Sequence, residues 1–112
     1  MNSFSFDTVQ RTRKAMIQLT EDLSQRLTIE QLSRKALVNS HTLQDCFKSI
    51  YGKTIFDFVQ ELRIARAKEL LRTTNLTIQE VATLCGYREQ SNFSFAFKNT
   101  EGVGPGLWRK GK

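Results

Sequence analysis

Apolar side chains recur every three or four positions along most of the chain, with polar and charged residues between them. Near the N-terminus the recurring apolar residues are Val9, Met16, Leu19 and Leu23, which predicts an amphipathic helix from about residue 7 to residue 23. The same spacing returns in short segments after Thr28, Asn39, Thr77 and Glu89. Long alternation of apolar and polar residues, which would indicate strands, is missing from the sequence. The pattern therefore predicts an all-α fold with about seven helices.

Two sequence motifs occur twice, in the same order. Thr28-Ile29-Glu30-Gln31-Leu32 is repeated as Thr77-Ile78-Gln79-Glu80-Val81, and Phe47-Lys48-x-x-Tyr51-Gly52 is repeated as Phe97-Lys98-x-x-Glu101-Gly102. The copies are offset by 49 residues (28 to 77) and by 50 residues (47 to 97). Each copy predicts a short capped helix, a turn, a second helix and a glycine stop, which is the outline of a helix-turn-helix. The repeat favours two units that each lay one helix in the major groove of DNA.

Local capping signals place the ends of these helices. The predicted N-terminal caps are Thr28, Asn39 or Ser40, and Thr77, and the predicted glycine stops are Gly52, Gly86 and Gly102. Gln31 and Glu80 complete capping boxes with Thr28 and Thr77. We divide the chain into a first helix-turn-helix subdomain (1–53), a linker helix (54–73) about 30 Å long, and a second helix-turn-helix subdomain (74–112).

Helical periodicity also predicts which side chains face the core. In the short helices these are Leu32, Ala36, Leu37, Leu43, Phe47, Ile50, Ile78, Val81, Leu84, Phe93, Ala96 and Phe97. In the linker helix they are Ile55, Phe58, Leu62, Ala65, Ala67, Leu70 and Leu71, and Arg63 is expected to stay in water. The glycine-rich segment 102–106 is expected to be irregular, with Leu107 and Trp108 folded back onto the second core. Cys46 and Cys85 are expected to be small buried side chains.

Composition narrows the class of partner. The chain has a net charge of +6 and a pI near 9.7, and residues 1–53 and 54–112 each carry +3, from 8 basic against 5 acidic and 9 against 6. This balance favours a polyanion for both repeats, although a generically basic domain explains the charge alone equally well. One histidine and two distant cysteines are too few for a zinc site or a disulfide framework, so we expect no metal and no cofactor.

The cellular location is expected to be the cytoplasm. The N-terminal sequence lacks the basic and long apolar segments of a signal peptide. No stretch approaches the roughly 20 apolar residues of a membrane span, so no membrane partner is expected.

One stretch resembles a known family. Ile78-x-x-Val81-Ala82-x-x-x-Gly86-Tyr87-x-x-x-Ser91-x-Phe93-x-x-x-Phe97-Lys98 closely follows the signature of the AraC/XylS family of bacterial transcription regulators, with support from Phe47-Lys48-x-x-Tyr51-Gly52 and Arg63-x-x-x-Ala67-x-x-Leu70-Leu71. The resemblance covers about residues 18 to 109. It implies two helix-turn-helix units joined by a rigid helix, with both recognition helices in successive major grooves on one face of DNA. Two departures stand out: Phe95 occupies a position where arginine is usual, and Glu101 one where an aromatic residue is common.

The first recognition helix is predicted to turn Leu43 and Phe47 inward. Its outward face then carries Ser40, His41, Gln44, Asp45 and Lys48. The resemblance implies base contacts at His41, Gln44 and Asp45. An amide pairs with the adenine edge, and a carboxylate accepts from cytosine N4. The alternatives are a solvated His41 and an Asp45 that supports a neighbouring lysine.

The second recognition helix is predicted to read bases through Gln90, Ser91, Asn92, Ser94 and Phe95. Gln90 and Asn92 carry amides suited to adenine, although Ser91 and Asn92 are equally suited to capping the helix. Phe95 lies about 200° around the helix from Phe93, so we expect it to be exposed and to pack on thymine methyl groups. The alternative for Phe95 is contact with Trp108 or the tail.

Phosphate contacts are expected from basic side chains and from helix N-termini, whose unpaired N–H groups and positive potential attract anions. The candidates are Thr28, Ser40, Lys48, Arg63, Thr77, Arg88 and Lys98. The resemblance implies phosphate contact by Arg63. For each of the other basic residues, a solvated surface charge explains the sequence as well.

The sequence as a whole predicts specific binding of double-stranded DNA by a bacterial transcription regulator, nucleoid-associated when bound and without catalytic activity. RNA polymerase is the expected partner for activation, and the effector or dimerisation domain usual in the family is not visible in these 112 residues. One alternative is a protein-interaction module that has lost DNA binding, favoured by Asp45, Phe95 and Glu101. The other is an enzyme that uses this domain for docking. It is disfavoured because no cysteine is paired with a base and no acid pair or metal set occurs.

Overall fold

The computed structural model describes residues 4–111, and this range contains seven α-helices. They are α1 (Phe6–Glu21), α2 (Ile29–Ala36), α3 (Ser40–Tyr51), α4 (Ile55–Thr73), α5 (Ile78–Leu84), α6 (Gln90–Glu101) and α7 (Pro105–Lys110). The described residues include no strand, which confirms the predicted all-α fold class. Within the same range, no helix has the length and apolar character needed to traverse a bilayer.

The chain forms two compact units, unit 1 (Met1–Val59) and unit 2 (Gln60–Lys112). The division falls within α4, so the first residues of this helix contribute to the core of unit 1 and the later ones to the core of unit 2. Each unit holds one helix pair in helix-turn-helix order, α2 with α3 in unit 1 and α5 with α6 in unit 2.

The core of unit 1 forms where α1, α2 and α3 pack together. Leu43, Cys46 and Phe47 of α3 are fully buried. The Phe47 ring stacks on Tyr51 at a centroid distance of 4.4 Å, and Phe58 meets Phe47 edge-on at 5.3 Å. Aromatic pairs of this kind add about 0.5–1.5 kcal/mol beyond the burial of their area. The inward face of α3 is therefore firmly held, and this determines which residues face outward.

The core of unit 2 surrounds Phe93 and Phe97 of α6, which are both fully buried. The ring of Tyr87 packs against Phe93 at 5.5 Å, and its hydroxyl donates a hydrogen bond to Oε1 of Gln60 at 2.8 Å. Trp108 of α7 meets Phe97 edge-on at 5.7 Å. This contact confirms that the C-terminal segment folds back onto the second core through Trp108.

The segment that follows Gly104 is helical, so the prediction of an irregular tail is wrong from Pro105 onward. Pro105 occupies the first turn of α7, where a missing N–H costs nothing and the fixed φ suits a helix. Leu107 is 68% exposed, so its predicted burial is also wrong. Arg109 points back to α4 and donates hydrogen bonds to several main-chain carbonyl oxygens near its end.

The predicted burial of Leu37 is wrong because α2 ends at Ala36, one residue earlier than the periodicity suggested. Leu37 adopts a left-handed backbone conformation with φ of 58° and is 74% exposed. Its N–H donates to the carbonyl oxygen of Arg34 at 3.3 Å, and the N–H of Val38 donates to the carbonyl oxygen of Ser33 at 3.1 Å. These two bonds satisfy the carbonyl groups at the end of the helix.

The predicted burial of Ala65 and Leu84 is also wrong, because the buried faces of α4 and α5 are turned relative to the predicted ones. The buried face of α4 passes through Ile64, Ala67 and Leu71, which leaves Ala65 exposed. Ile64 was not in the predicted core. The last residue of α5, Leu84, is half exposed.

Cys46 and Cys85 are fully buried free thiols, which confirms the predicted role of both as small core residues. Burial raises the pKa of Cys85 to about 11, against a weaker opposing effect of Arg66 and Arg63. The Cys85 thiol therefore stays protonated near neutral pH.

Candidate nucleic-acid interface

Helix α3 begins at a side-chain cap. Oδ1 of Asn39 accepts hydrogen bonds from the N–H groups of His41 at 2.9 Å and Thr42 at 3.4 Å. Of the two predicted caps for this helix, Asn39 is the one that acts, and Ser40 is the first helical residue. Two of the unpaired N–H groups at this end are thereby occupied before any ligand arrives.

The outward face of α3 is polar and contains one ion pair. His41, Gln44 and Lys48 are exposed, while Ser40 and Asp45 are partly buried. Nε2 of His41 lies 3.2 Å from Oδ2 of Asp45, one helical turn away. Asp45 therefore meets His41 and not a lysine, which corrects the alternative considered for Asp45. When the imidazole is protonated, the pair holds the carboxylate in place and balances its charge.

Gln44 is partly engaged within its own helix. Its Nε2 donates to the carbonyl oxygen of Ser40 at 3.3 Å. This weak bond leaves the amide oxygen, and with a rotation the whole amide, available to a base edge.

Helix α6 begins differently from α3. Its cap residue is Glu89, whose side chain makes no capping hydrogen bond. Ser91 and Asn92 lie exposed in the first turn of the helix, so the alternative in which they cap it is wrong. The first N–H groups of α6 consequently have no side-chain acceptor at the cap position. These donors are open to a ligand, and the Glu89 side chain lies beside them.

Phe95 is 70% exposed, although Phe93 and Phe97 in the same helix are completely buried. This confirms the exposure predicted from helical periodicity. At this exposure Phe95 is not buried by Trp108 or the tail, and the indole of Trp108 packs on Phe97. A bare aromatic ring on an otherwise polar helix face has a cost in water, and burial against a ligand would remove that cost.

The other outward residues of α6 are uncharged over its first two turns. Gln90 is exposed and Ser94 is partly buried, and the first basic residue of the helix is Lys98, which is exposed. Asn99 is exposed one turn beyond Phe95. Asn99 is not among the residues predicted from the sequence, although its spacing of four residues from Phe95 places it on the same face.

Arg63 lies in the interior of unit 2 and not in water, so that prediction is wrong. It is 4% exposed, and its Nη1 donates to the carbonyl oxygen of Cys85 at 2.8 Å. Its guanidinium is thus committed to the main chain at the end of α5, and a direct phosphate contact would require it to leave this site. Arg88, by contrast, is exposed, as are Lys48 and Lys98.

Both predicted capping boxes are confirmed. Oγ1 of Thr28 accepts from the N–H of Gln31 at 3.1 Å, and Oε1 of Gln31 accepts from the N–H of Thr28 at 2.8 Å. The corresponding distances for Thr77 and Glu80 are 3.0 Å and 2.8 Å.

The two boxes differ in charge. The hydrogen bond from the Thr77 main chain is the largest cause that lowers the pKa of Glu80, so this carboxylate is ionised at neutral pH. A carboxylate therefore completes the capping box of α5, whereas a neutral amide completes that of α2, whose first-turn acidic residue is Glu30.

Comparison with protein-family models finds a match to the helix-turn-helix domain over residues 32–111. The HTH-type transcriptional activator RhaR of Klebsiella pneumoniae subsp. pneumoniae is 30% identical over 97 residues, which are 87% of this chain and 34% of that protein. RhaR of Cronobacter sakazakii is 38% identical over 68 residues, or 61% of this chain and 24% of that protein. The chain thus spans about a quarter to a third of the length of these relatives.

Solved structures with the same fold include the C-terminal domain of AraT, a response regulator from Geobacillus stearothermophilus. It has a TM-score of 0.87 and 32% identity, covering 91% of this chain and 85% of that chain. The DNA-binding domain of the transcription factor AdpA, determined in complex with a target DNA, has a TM-score of 0.86 over 90% of this chain and 91% of that chain. At 24% identity, the latter shows the fold alone.

Proposed function

Because the chain belongs to the AraC-type helix-turn-helix family, we propose that it binds double-stranded DNA sequence-specifically as part of a bacterial transcription regulator. One observation carries the proposal. Each unit presents a 12-residue second helix whose inward face is buried and whose outward face is largely exposed, and polar except for Phe95. A helix held in this way can enter the major groove without rearrangement of its core.

Helix α3 is the proposed reader in unit 1. Gln44 contacts an adenine edge, and Asp45 accepts a hydrogen bond from cytosine N4. His41 contributes a ring nitrogen to the same groove while its contact with Asp45 orients the carboxylate. Ser40 and Lys48 lie at the ends of this face and contact the sugar-phosphate backbone.

Helix α6 is the proposed reader in unit 2, with Gln90, Ser91, Asn92, Ser94 and Phe95 toward the bases. The exposed ring of Phe95 packs on thymine methyl groups, which project into the major groove. Arg88 and Lys98 bind phosphates on either side of the helix. Asn99 extends the polar face by one turn and also contacts a phosphate.

Of the two capped helix ends, that of α2 has no carboxylate in its capping box, and its first-turn acid is Glu30. Thr28, at the N-terminus of α2, is proposed to contact phosphate there. We no longer assign a phosphate to Thr77, since the ionised Glu80 would repel it, nor to Arg63, which is buried.

The regulator acts at the bacterial chromosome, and RNA polymerase is the partner through which it would change transcription. An effector-binding or dimerisation domain belongs to the proposed whole protein, because this chain corresponds to only 24–34% of the two relatives described above.

Selection of bound sequences from a random duplex pool tests the proposal directly. We expect enrichment of two short motifs about 10 bp apart, one for each recognition helix in adjacent major grooves. Footprinting of the selected site should then give two protected segments on one face of the duplex. A single enriched motif with one protected segment would contradict simultaneous reading by both units.

A salt titration separates DNA binding from the alternative of a protein-interaction module. With about six phosphate contacts, the logarithm of affinity should fall with the logarithm of salt concentration at a slope of roughly −5. A slope near zero, without any mobility shift of duplex at low salt, would favour the interaction module.

A further inference from the structure

A groove in unit 1 has no role in the proposed DNA contacts. It has a volume of about 350 Å³ and lies between α1 and the C-terminal end of α2. Its lining includes Asp7, Arg11, Lys14, Gln18, Lys35 and Leu37. None of the residues proposed to contact DNA is among those that line it.

Leu37 is an unfavourable residue for its position. Its left-handed backbone conformation is one that glycine adopts without strain, and its side chain is 74% exposed. The hydrogen bonds that end α2 involve only main-chain atoms of Leu37 and Val38, so glycine would make them equally well. A strained residue that adds little packing to its own fold points to a role outside that fold.

The rim of the groove carries an unbalanced positive charge. Nε of Arg11 is paired with Oδ2 of Asp7 at 2.7 Å. Lys14 and Lys35 are exposed, and neither meets a carboxylate within residues 4–111. Two ammonium groups therefore flank an exposed leucine, over a floor that includes the buried Ala15 and Ala36.

We propose that this groove docks an acidic segment of another protein, with an apolar side chain of the segment against Leu37 and its carboxylates against Lys14 and Lys35. Charge complementarity selects an acidic partner. The leucine selects protein over nucleic acid, because a phosphate backbone would gain nothing from contact with an exposed aliphatic chain. The inference is independent of the proposed DNA binding.

Three synthetic helical peptides serve as probes for the 112-residue chain. The first has a central leucine flanked by glutamates one turn before and after it. In the second the glutamates are glutamines, and in the third the leucine is alanine. Binding is followed by the methyl NMR signals of Leu37. Titration of these signals gives a Kd for each peptide. We expect the Kd of the first peptide to be at least about tenfold lower than those of the other two.

Variants of the chain complete the test. Leu37→Gly should melt at the same temperature as the wild type or higher, since it relieves the strained backbone, yet bind the first peptide at least about tenfold more weakly. For this variant, binding is read from the fluorescence anisotropy of the labelled peptide. The double variant Lys14→Glu/Lys35→Glu should also bind the first peptide at least about tenfold more weakly. Ile17→Ala is the matched control, because Ile17 is 62% exposed on α1 but does not line the groove.

Three results would overturn the docking proposal. One is that all three peptides bind equally, or that none of them binds. Another is a lower melting temperature for Leu37→Gly, which would make Leu37 a structural residue. The third is a loss of duplex affinity in the lysine variant without a change in peptide binding, which would assign the groove to the DNA surface. Duplex binding by the unmodified chain is measured in parallel, so failure of the proposed DNA function would be seen separately.

Discussion

Replacing Arg109 with methionine removes a guanidinium that binds three main-chain carbonyl oxygens in unit 2. Nε donates to Leu71 at 3.1 Å, Nη1 to Leu76 at 2.6 Å and Nη2 to Thr74 at 3.3 Å. These carbonyl groups belong to the end of α4 and the turn after it, where helix carbonyls lack partners of their own. A single side chain of α7 therefore ties the C-terminal helix to α4.

The size of the effect follows from these bonds. A hydrogen bond to a charged group contributes about 1.5–3 kcal/mol, but the three are not additive, and the part-buried carbonyls regain water in the variant. We expect Arg109→Met to lower the free energy of unfolding by about 2–3 kcal/mol. For a cooperative chain of this length, that corresponds to a fall in melting temperature of roughly 8–13 °C.

Thermal and urea unfolding measure the change, followed by the fluorescence of Trp108. Trp108 is the only tryptophan of the chain and adjoins Arg109 in α7. Arg109→Lys should lie between the wild type and the methionine variant, because one ammonium cannot reproduce the planar fork of donors. Arg72→Met is the matched control. Arg72 is exposed in the last turn of α4, and its side chain makes no hydrogen bond or ion pair within the described residues.

We expect the control to change stability by less than about 0.5 kcal/mol. If Arg109→Met melts within about 2 °C of Arg72→Met, water replaces the guanidinium without cost. The assignment of Arg109 as the tie between α7 and α4 would then be wrong.

Phe97→Ala should destabilise unit 2 by about 3–5 kcal/mol in urea unfolding, whereas Phe95→Ala should leave the transition unchanged and weaken duplex binding at thymine positions. Equal losses of stability would contradict the outward assignment of Phe95. For Glu80, whose pKa Thr77 holds below its ordinary value, the wild type should be more stable than Glu80→Gln at neutral pH. That advantage should vanish as the pH falls through the lowered pKa. A difference in the free energy of unfolding that stays constant across the acid range would refute it. Asp45→Asn should raise affinity for non-specific duplex in a mobility-shift assay, because it removes a negative charge near phosphate. Unchanged affinity would place Asp45 away from the backbone.

Features that depend on a few neighbouring residues were predictable from the sequence. The capping boxes at Thr28 and Thr77 need only a partner three residues away, and both are present as predicted. The exposure of Phe95 followed from its angle to Phe93 around one helix. The contact of His41 with Asp45 was also within reach, because residues four apart in a helix are neighbours.

Features that depend on distant residues or on the end of a helix were not predictable in the same way. Arg63 looked like a surface residue because its acceptor, the carbonyl oxygen of Cys85, lies 22 residues away. Leu37 continues the apolar stripe of α2 in the sequence, but the helix ends one residue before it. For α7, Pro105 after Gly104 was a usable helix-start signal, but the glycines around it favoured a loop. The DNA contacts themselves depend on a partner, so they stay predictions.

Each unit contains one buried thiol, Cys46 in unit 1 and Cys85 in unit 2. A thiol-reactive reagent can modify such a cysteine only when the unit around it opens, and the raised pKa of Cys85 further slows its reaction in the folded state. Labelling kinetics under native conditions, resolved by peptide mass, would therefore time the opening of the two units separately without any introduced cysteine. Arg109→Met should accelerate the modification of Cys85 and leave the rate at Cys46 as it is.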